Sequence, residues 1–162
     1  MKIKLISPKN DVKFSLIDNE DFEFLQKWEW KWTLQGYAVK VKALKGDKNT
    51  HRAMHRLIMG AKEGTFIDHI NRDKLDNRKI NLRFCTFQQN TWNRAKVSDT
   101  RGYKSKYKGV GWDKKQNKWF AMIYKDYIDY HLGFYDLETE AATAYNEAAK
   151  KHFGEFAYLN NV

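Results

Sequence analysis

A single cysteine, Cys85, is all the thiol chemistry in this 162-residue chain. That excludes a disulfide framework and any zinc centre built on several cysteines. Cys85 lies in an apolar, strand-like run and is expected to be a small core residue. The opening stretch, MKIKLISPKNDVKF, has no apolar segment of the kind found in signal peptides. No window reaches the length of a membrane span, so a cytoplasmic setting without a membrane partner is expected. Internal repeats and low-complexity tracts are also missing. Negative charge is in the minority, with 20 Asp and Glu against 30 Lys and Arg, a formal charge of +10 and a pI near 9.5. A polyanionic partner, nucleic acid above all, is the natural complement, because charge and aromatics alternate along the chain instead of collecting in tails. Hydrophobic content of 42% with 15% aromatic residues is ample for packed cores.

The chain reads as α+β in three stretches. Residues 1–50 are β-rich. VKFSLI alternates apolar and polar side chains, and in GYAVKVKAL Tyr37, Val39 and Val41 fall on one face. Trp28, Trp30 and Trp32 alternate with charged residues, as in a strand whose aromatic face covers a neighbour. DNEDFEFLQ reads as a short helix with an acidic first turn. Residues 51–97 read as a helix stopping at Gly60, then strand (FIDHI), basic loop (RDKLDNRKIN), strand (LRFCT) and helix (FQQNTWNRAKV). Thr86 stands at the N-cap position of the last helix, with Gln89 as its box partner. Residues 98–106 (SDTRGYKSK) are polar, basic and glycine-containing, as a linker would be. Residues 107–162 then give three aromatic-rich strands and a helix with Asp136 as N-cap and Gly154 as its stop. Five alanines between 141 and 149 point to a helix lying close against a sheet.

The chemistry concentrates in MHRLIMGAKEGTFIDHINRDKLDNRKINLRFCTFQQN. Asp68 and His69 are adjacent, Asn81 follows twelve residues after the histidine, and Asn90 nine further on. A carboxylate, a neutral imidazole and an amide oxygen form a set able to hold one hard divalent cation, Mg²⁺ or Mn²⁺, and to deprotonate a water. In so basic a chain the obvious target for that water is a phosphodiester, so the stretch reads as a nuclease centre. Asp68 and His69 should point to opposite faces of a regular strand, and both can address one site only if the strand bends or ends there. Arg72, Lys74, Arg78, Lys79 and Arg83 surround the site as candidate phosphate contacts. His55 is expected to have a structural or DNA-packing role.

The segments MHRLIMG, IDHINRDKLDNRKINLR and CTFQQN resemble the HNH homing endonuclease family, in the variant whose last histidine is asparagine. The resemblance covers roughly 45 residues and implies a ββα-metal module. It implies that His69 is the general base, that Asp68 and Asn90 bind one divalent metal with DNA phosphate oxygens, and that Asn81 holds the loop and the base in position. Implied products carry a 5′-phosphate and a 3′-hydroxyl, and the implied source is a phage or mobile element in a bacterial host. YKGVGWDKKQNKWFAMI, HLGFYDLETEAATAYNEAA and HFGEFAYLN resemble the APETALA2-type DNA-binding domain, whose three-stranded sheet enters the major groove. Lys108, Trp112, Lys114, Lys115, Lys118, Tyr124, Lys125 and His131 are therefore the DNA-facing candidates. Plant members read guanines largely with arginines on this sheet, and lysine lacks that bidentate fork, so their target sequence does not carry over. The domains expected are 1–97 and 107–162, in a monomer or weak dimer that nicks double-stranded DNA. A DNA-binding regulator without catalysis is the competing expectation, and an RNA-processing or packaging factor using the same site is a third.

Overall fold

The computed structural model describes residues 1–6, 11–41, 53–96 and 105–162. The chain falls into two compact units, Met1–Asn90 and Thr91–Val162. Most of the stretch expected as a linker, 98–106, lies outside the described residues, as do positions 42–44 of the expected GYAVKVKAL strand.

In the first unit, strands β1 (Lys2–Leu5) and β2 (Lys13–Leu16) form an antiparallel hairpin, with Ile3 opposite Ser15. Helix α1 (Asn19–Leu25) carries Glu20 and Asp21 in its first turn, where the helix dipole favours negative charge. Strands β3 (Trp30–Trp32) and β4 (Ala38–Lys40) form a second hairpin. Beyond β1 the chain runs beside β3, with Ile6 N–H donating to Trp30 O at 2.8 Å and Trp32 N–H to Ile6 O at 3.0 Å. These pieces enclose one core of Ile3, Leu5, Ile17, Leu25, Trp30, Ala38 and Met54. Each such burial contributes roughly 1.5–3 kcal/mol for the larger side chains, and the Trp30 indole meets its own polar need by donating to Leu25 O at 2.9 Å.

Two faces come out opposite to what alternation alone predicts. In β2 the inward positions are Ser15 and then Ile17, while Phe14 is exposed. In β4 Ala38 and Lys40 point inward and Val39 is only half-buried. Register decides both: Ser15 shares a face with Ile3, and Lys40 shares one with Trp30. Lys40 is tolerated at 2% exposure because its ammonium lies 5.1 Å from the Trp28 ring centre.

Helix α2 (Met54–Ile58) is short and ends at Gly60, whose φ of 58° lies in the region open to glycine. Strands β5 (Phe66–His69) and β6 (Leu82–Cys85) pair antiparallel, and helix α3 (Phe87–Trp92) follows. The helix begins as the sequence indicates. Gln89 N–H donates to Thr86 Oγ1 at 3.1 Å, and Thr86 N–H donates back to Gln89 Oε1 at 2.8 Å. It ends sooner than the FQQNTWNRAKV pattern implies.

In the second unit β7 (Val110–Asp113), β8 (Lys118–Lys125) and β9 (Ile128–Tyr135) form an antiparallel sheet in that order. Helix α4 (Glu138–Phe153) lays Ala141, Ala142 and Ala149 against Ala121 and Ile123, as the alanine spacing requires. The approach is so close at Gly109 (φ 72°) that a Cβ there would sit 2.1 Å from Tyr145 Cδ2. The N-cap is Leu137, not Asp136; Glu140 accepts from Leu137 N–H at 3.3 Å, and Asp136 pairs with Lys118 at 3.2 Å. The chain as described is thus α+β, with small antiparallel sheets and one three-stranded sheet backed by a helix.

Candidate functional site

The β5–β6 register sets which side chains share a face. Phe66 opposes Cys85 and Asp68 opposes Arg83 on one face, while Ile67 opposes Phe84 and His69 opposes Leu82 on the other. On the first face Arg83 donates from Nε at 2.9 Å and from Nη2 at 2.7 Å, both to Asp68 Oδ2. The pair is well removed from solvent, with side-chain exposures of 11% for Arg83 and 6% for Asp68. Phe87 of α3 meets Phe66 edge-on at 5.7 Å. Asn90 lies three residues on from Phe87, one helical turn away on the same side. Cys85, half-buried beside them, has its thiol pushed up, chiefly by burial.

His69 ends β5 and is buried among aromatic groups. The rings of His55 and Tyr37 lie 5.0 and 6.1 Å from its own, centre to centre, and Tyr37 lies 5.3 Å from His55. Lys74 covers the Tyr37 ring at 4.5 Å and donates to Gln35 O. Burial lowers the His69 pKa below its ordinary 6.5, against smaller raising contributions from Asn77 and nearby carboxylates. Burial, with help from His69 and Arg56, drives His55 down to about 3. Both imidazoles are thus neutral at pH 7, the state a general base at position 69 requires.

Sequence reasoning passed over the groups that hold His69. Its Nε2 lies 3.1 Å from Asn77 Oδ1, and Asn77 Nδ2 donates to Ser15 Oγ at 2.7 Å. Asn77 and Ser15 are both wholly buried. Asn77 was legible only as part of a basic loop, and Ser15 only as a polar position in an alternating strand.

The loop between β5 and β6 is tied at several points. Asn81 accepts from Asn71 N–H at 2.9 Å and donates to Asp76 O at 2.7 Å, bridging the two ends. Asn71 Nδ2 donates to Asp76 Oδ2, and Arg78 donates from Nε to Asp76 Oδ1 at 2.7 Å. These bonds hold the Asp76 carboxyl below its usual range, the Arg78 contribution being largest. Arg72, with φ 68°, turns the chain out of β5. The loop also aligns with β2: Leu16 N–H donates to Leu75 O and Asn77 N–H to Leu16 O, each at 2.8 Å.

Most cations singled out for DNA are held by the protein itself. Arg83 is bound to Asp68, Arg78 to Asp76, and Lys79 to Glu20 and Asp21. In the second unit Lys108 donates to Trp92 O and Arg94 O, and Lys118 and Lys125 pair with Asp136 and Asp126. Lys114 and Lys115 lie exposed in the β7–β8 turn. Trp112, chosen as DNA-facing, opposes Trp119, with their rings 5.1 Å apart. Trp119 packs into the core under α4, so Trp112 shares the helix-side face. The other face carries Phe120, Met122 and Tyr124 on β8, with Phe134 opposite Phe120 and His131 opposite Met122.

Among the described residues no group of three or more His, Cys, Asp or Glu could hold a metal. A site resting on Asp68 and Asn90 would offer one carboxylate and one amide oxygen. That donor set suits Mg²⁺ or Mn²⁺, which keep several waters and take few protein ligands when phosphate oxygens complete the shell. A carboxylate has about four lone-pair positions on its two oxygens, and Asp68 Oδ2 accepts from both Nε and Nη2 of Arg83.

Part of the chain is similar to known proteins. Residues 48–91 match the HNH endonuclease family model, the stretch from before α2 into α3. Over 151 residues the chain is 29% identical to an uncharacterised HNH endonuclease of Acanthamoeba polyphaga mimivirus, covering 92% of this chain and 75% of that protein. It is also 29% identical over 96 residues to Protein 3.8 of Escherichia phage T7, covering 59% of this chain and 75% of that one. No solved structure matches.

Proposed function

We propose that this protein is a metal-dependent DNA endonuclease of the homing type that nicks one strand of a duplex. The observation that carries the reading is His69, a buried imidazole kept neutral at the end of β5, beside Asp68, in the segment that matches the HNH family model. In this reading His69 takes a proton from water and the resulting oxygen attacks phosphorus. The bond to the 3′ oxygen breaks, leaving a 5′-phosphate and, once that oxygen is protonated, a 3′-hydroxyl. Asp68 and Asn90 would hold one Mg²⁺ or Mn²⁺, which would supply charge stabilisation for the phosphate and its leaving oxygen. Asn81 keeps the intervening loop closed.

The second unit is proposed as an APETALA2-like duplex-binding domain, on the strength of its sheet with α4 behind it and its resemblance in sequence. One such site cuts one strand, so a monomer nicks, and a double-strand break takes a second event. The setting proposed is the cytoplasm of a bacterial cell carrying the phage or mobile element. A second reading, a DNA-binding regulator, is favoured by the Asp68–Arg83 ion pair, which suits a scaffold as well as a metal ligand. Supercoiled plasmid incubated with Mg²⁺ or Mn²⁺ decides between them. Conversion to open circle, abolished by EDTA and by His69→Ala or Asp68→Ala while gel-shift binding survives, supports the nuclease. Binding without metal-dependent nicking on plasmids carrying host and element DNA supports the regulator, and cleavage of folded RNA alone replaces both.

A further inference from the structure

Ser15 and Asn77 form a buried relay whose direction can be read from one end to the other. The Ser15 hydroxyl lies 3.0 Å from Leu75 O and 3.2 Å from Met54 Sδ. Both neighbours only accept, so the single hydroxyl proton goes to them and the Ser15 lone pairs are left to receive. The third neighbour, the Asn77 side chain at 2.7 Å, must therefore donate, which places its Nδ2 against Ser15. Lys74 O, an acceptor 3.5 Å from the same nitrogen, agrees with that orientation. The amide oxygen is then the atom facing His69 Nε2 at 3.1 Å. An amide oxygen cannot donate, so Nε2 carries the ring proton. Every member of the chain is buried, and a reversed amide would set two donors or two acceptors face to face away from water, an arrangement that costs about 1–3 kcal/mol per group.

We infer that Asn77, oriented by Ser15 of the N-terminal hairpin, is a positioning residue that fixes the His69 tautomer with the proton on Nε2 and makes Nδ1 the nitrogen that accepts the proton from water. The inference rests on the nuclease reading for its catalytic part, while the hydrogen-bond direction stands by itself. It gives the first 17 residues a part in the chemistry through a serine that never meets the substrate.

The test uses the full chain, free of metal at neutral pH, with ¹⁵N-labelled histidine. Wild type is expected to show the His69 ring proton coupled to Nε2 and exchanging slowly with water. Asn77→Ala and Ser15→Ala should each speed that exchange and lower kcat for plasmid nicking by on the order of tenfold to a hundredfold, with KM little changed. Ser15→Thr, which keeps the hydroxyl, should restore both. The Trp30 indole N–H resonance reports whether each variant keeps the first core. If Asn77→Ala loses that resonance, the pair Ser15→Ala and Ser15→Thr carries the test. A wild-type proton on Nδ1 overturns the inference whatever the nicking assay shows, and so does a Ser15→Ala variant with unchanged exchange and kcat. A proton on Nε2 in a wild-type protein that nicks nothing overturns the nuclease reading and, with it, any catalytic part for Asn77.

Discussion

His55 makes this protein acid-sensitive in an amount that can be worked out beforehand. Its imidazole, buried between Tyr37 and His69, has a pKa of about 3 in the folded state, against an ordinary value of 6.5. A histidine whose folded pKa is depressed is neutral when folded and takes up a proton when unfolded. The associated stability is complete above pH 6.5 and is lost as pH falls towards 3. Between about pH 7 and pH 5 the unfolded chain gains a proton at this position that the folded chain refuses. At 1.36 kcal/mol per pH unit below 6.5, the loss is about 2 kcal/mol. His55→Phe keeps an aromatic ring against Tyr37 and removes the titration. Urea unfolding of both proteins at the two pH values, followed through the buried Trp30 indole resonance, gives the difference directly. Wild type should lose about 2 kcal/mol more than His55→Phe over that interval. Equal losses in the two proteins would refute the assignment of a buried, neutral His55. His69, also lowered, contributes with the same sign in both and cancels.

Three further outcomes follow from the packing. Arg83→Met removes the guanidinium paired with the Asp68 carboxylate in a nearly closed site, and urea unfolding should show a loss of about 3 kcal/mol. Asn81→Ala leaves Asn71 N–H and Asp76 O without the side chain that joins them, so amide exchange at Asn71 should speed up and the first unit should lose about 2 kcal/mol. Gly109→Ala drives a methyl into Tyr145 at a positive φ, and urea unfolding of the second unit should show a loss of about 2 kcal/mol or more while the Trp30 resonance is unchanged.

The elements that read correctly from sequence are those decided within a few residues. The Thr86–Gln89 box, the stop at Gly60 and the separation of Ala121 and Ile123 from Met122 and Tyr124 are all local matters of capping or period. Errors arise where a partner distant in the chain decides. Alternation in VKFSLI cannot say which face is covered, because that depends on Ile3 across the hairpin and on Asn77, 62 residues from Ser15. That Arg83 pairs with Asp68 follows from the register of β5 and β6 and from no local pattern. Trp112 looks like a reader of bases until Trp119 is found across from it. Asp68, His69, Asn81 and Asn90 were singled out by a resembling motif, whereas the groups bonded to His69 lie in segments that no spacing rule joins.

The stitching of the β5–β6 loop along β2 has a consequence for how such a protein can be inherited. Met54 opens α2 inside the family-matched stretch, yet it is enclosed by Leu5, Ile17 and Trp30 from well before it. Residues 48–91 are therefore no portable cassette: moved alone to another host chain, they would expose one side of Met54 and strand two backbone amide contacts at Leu75 and Asn77. Recombination that spares the protein must cut outside the whole stretch from Met1 to Asn90.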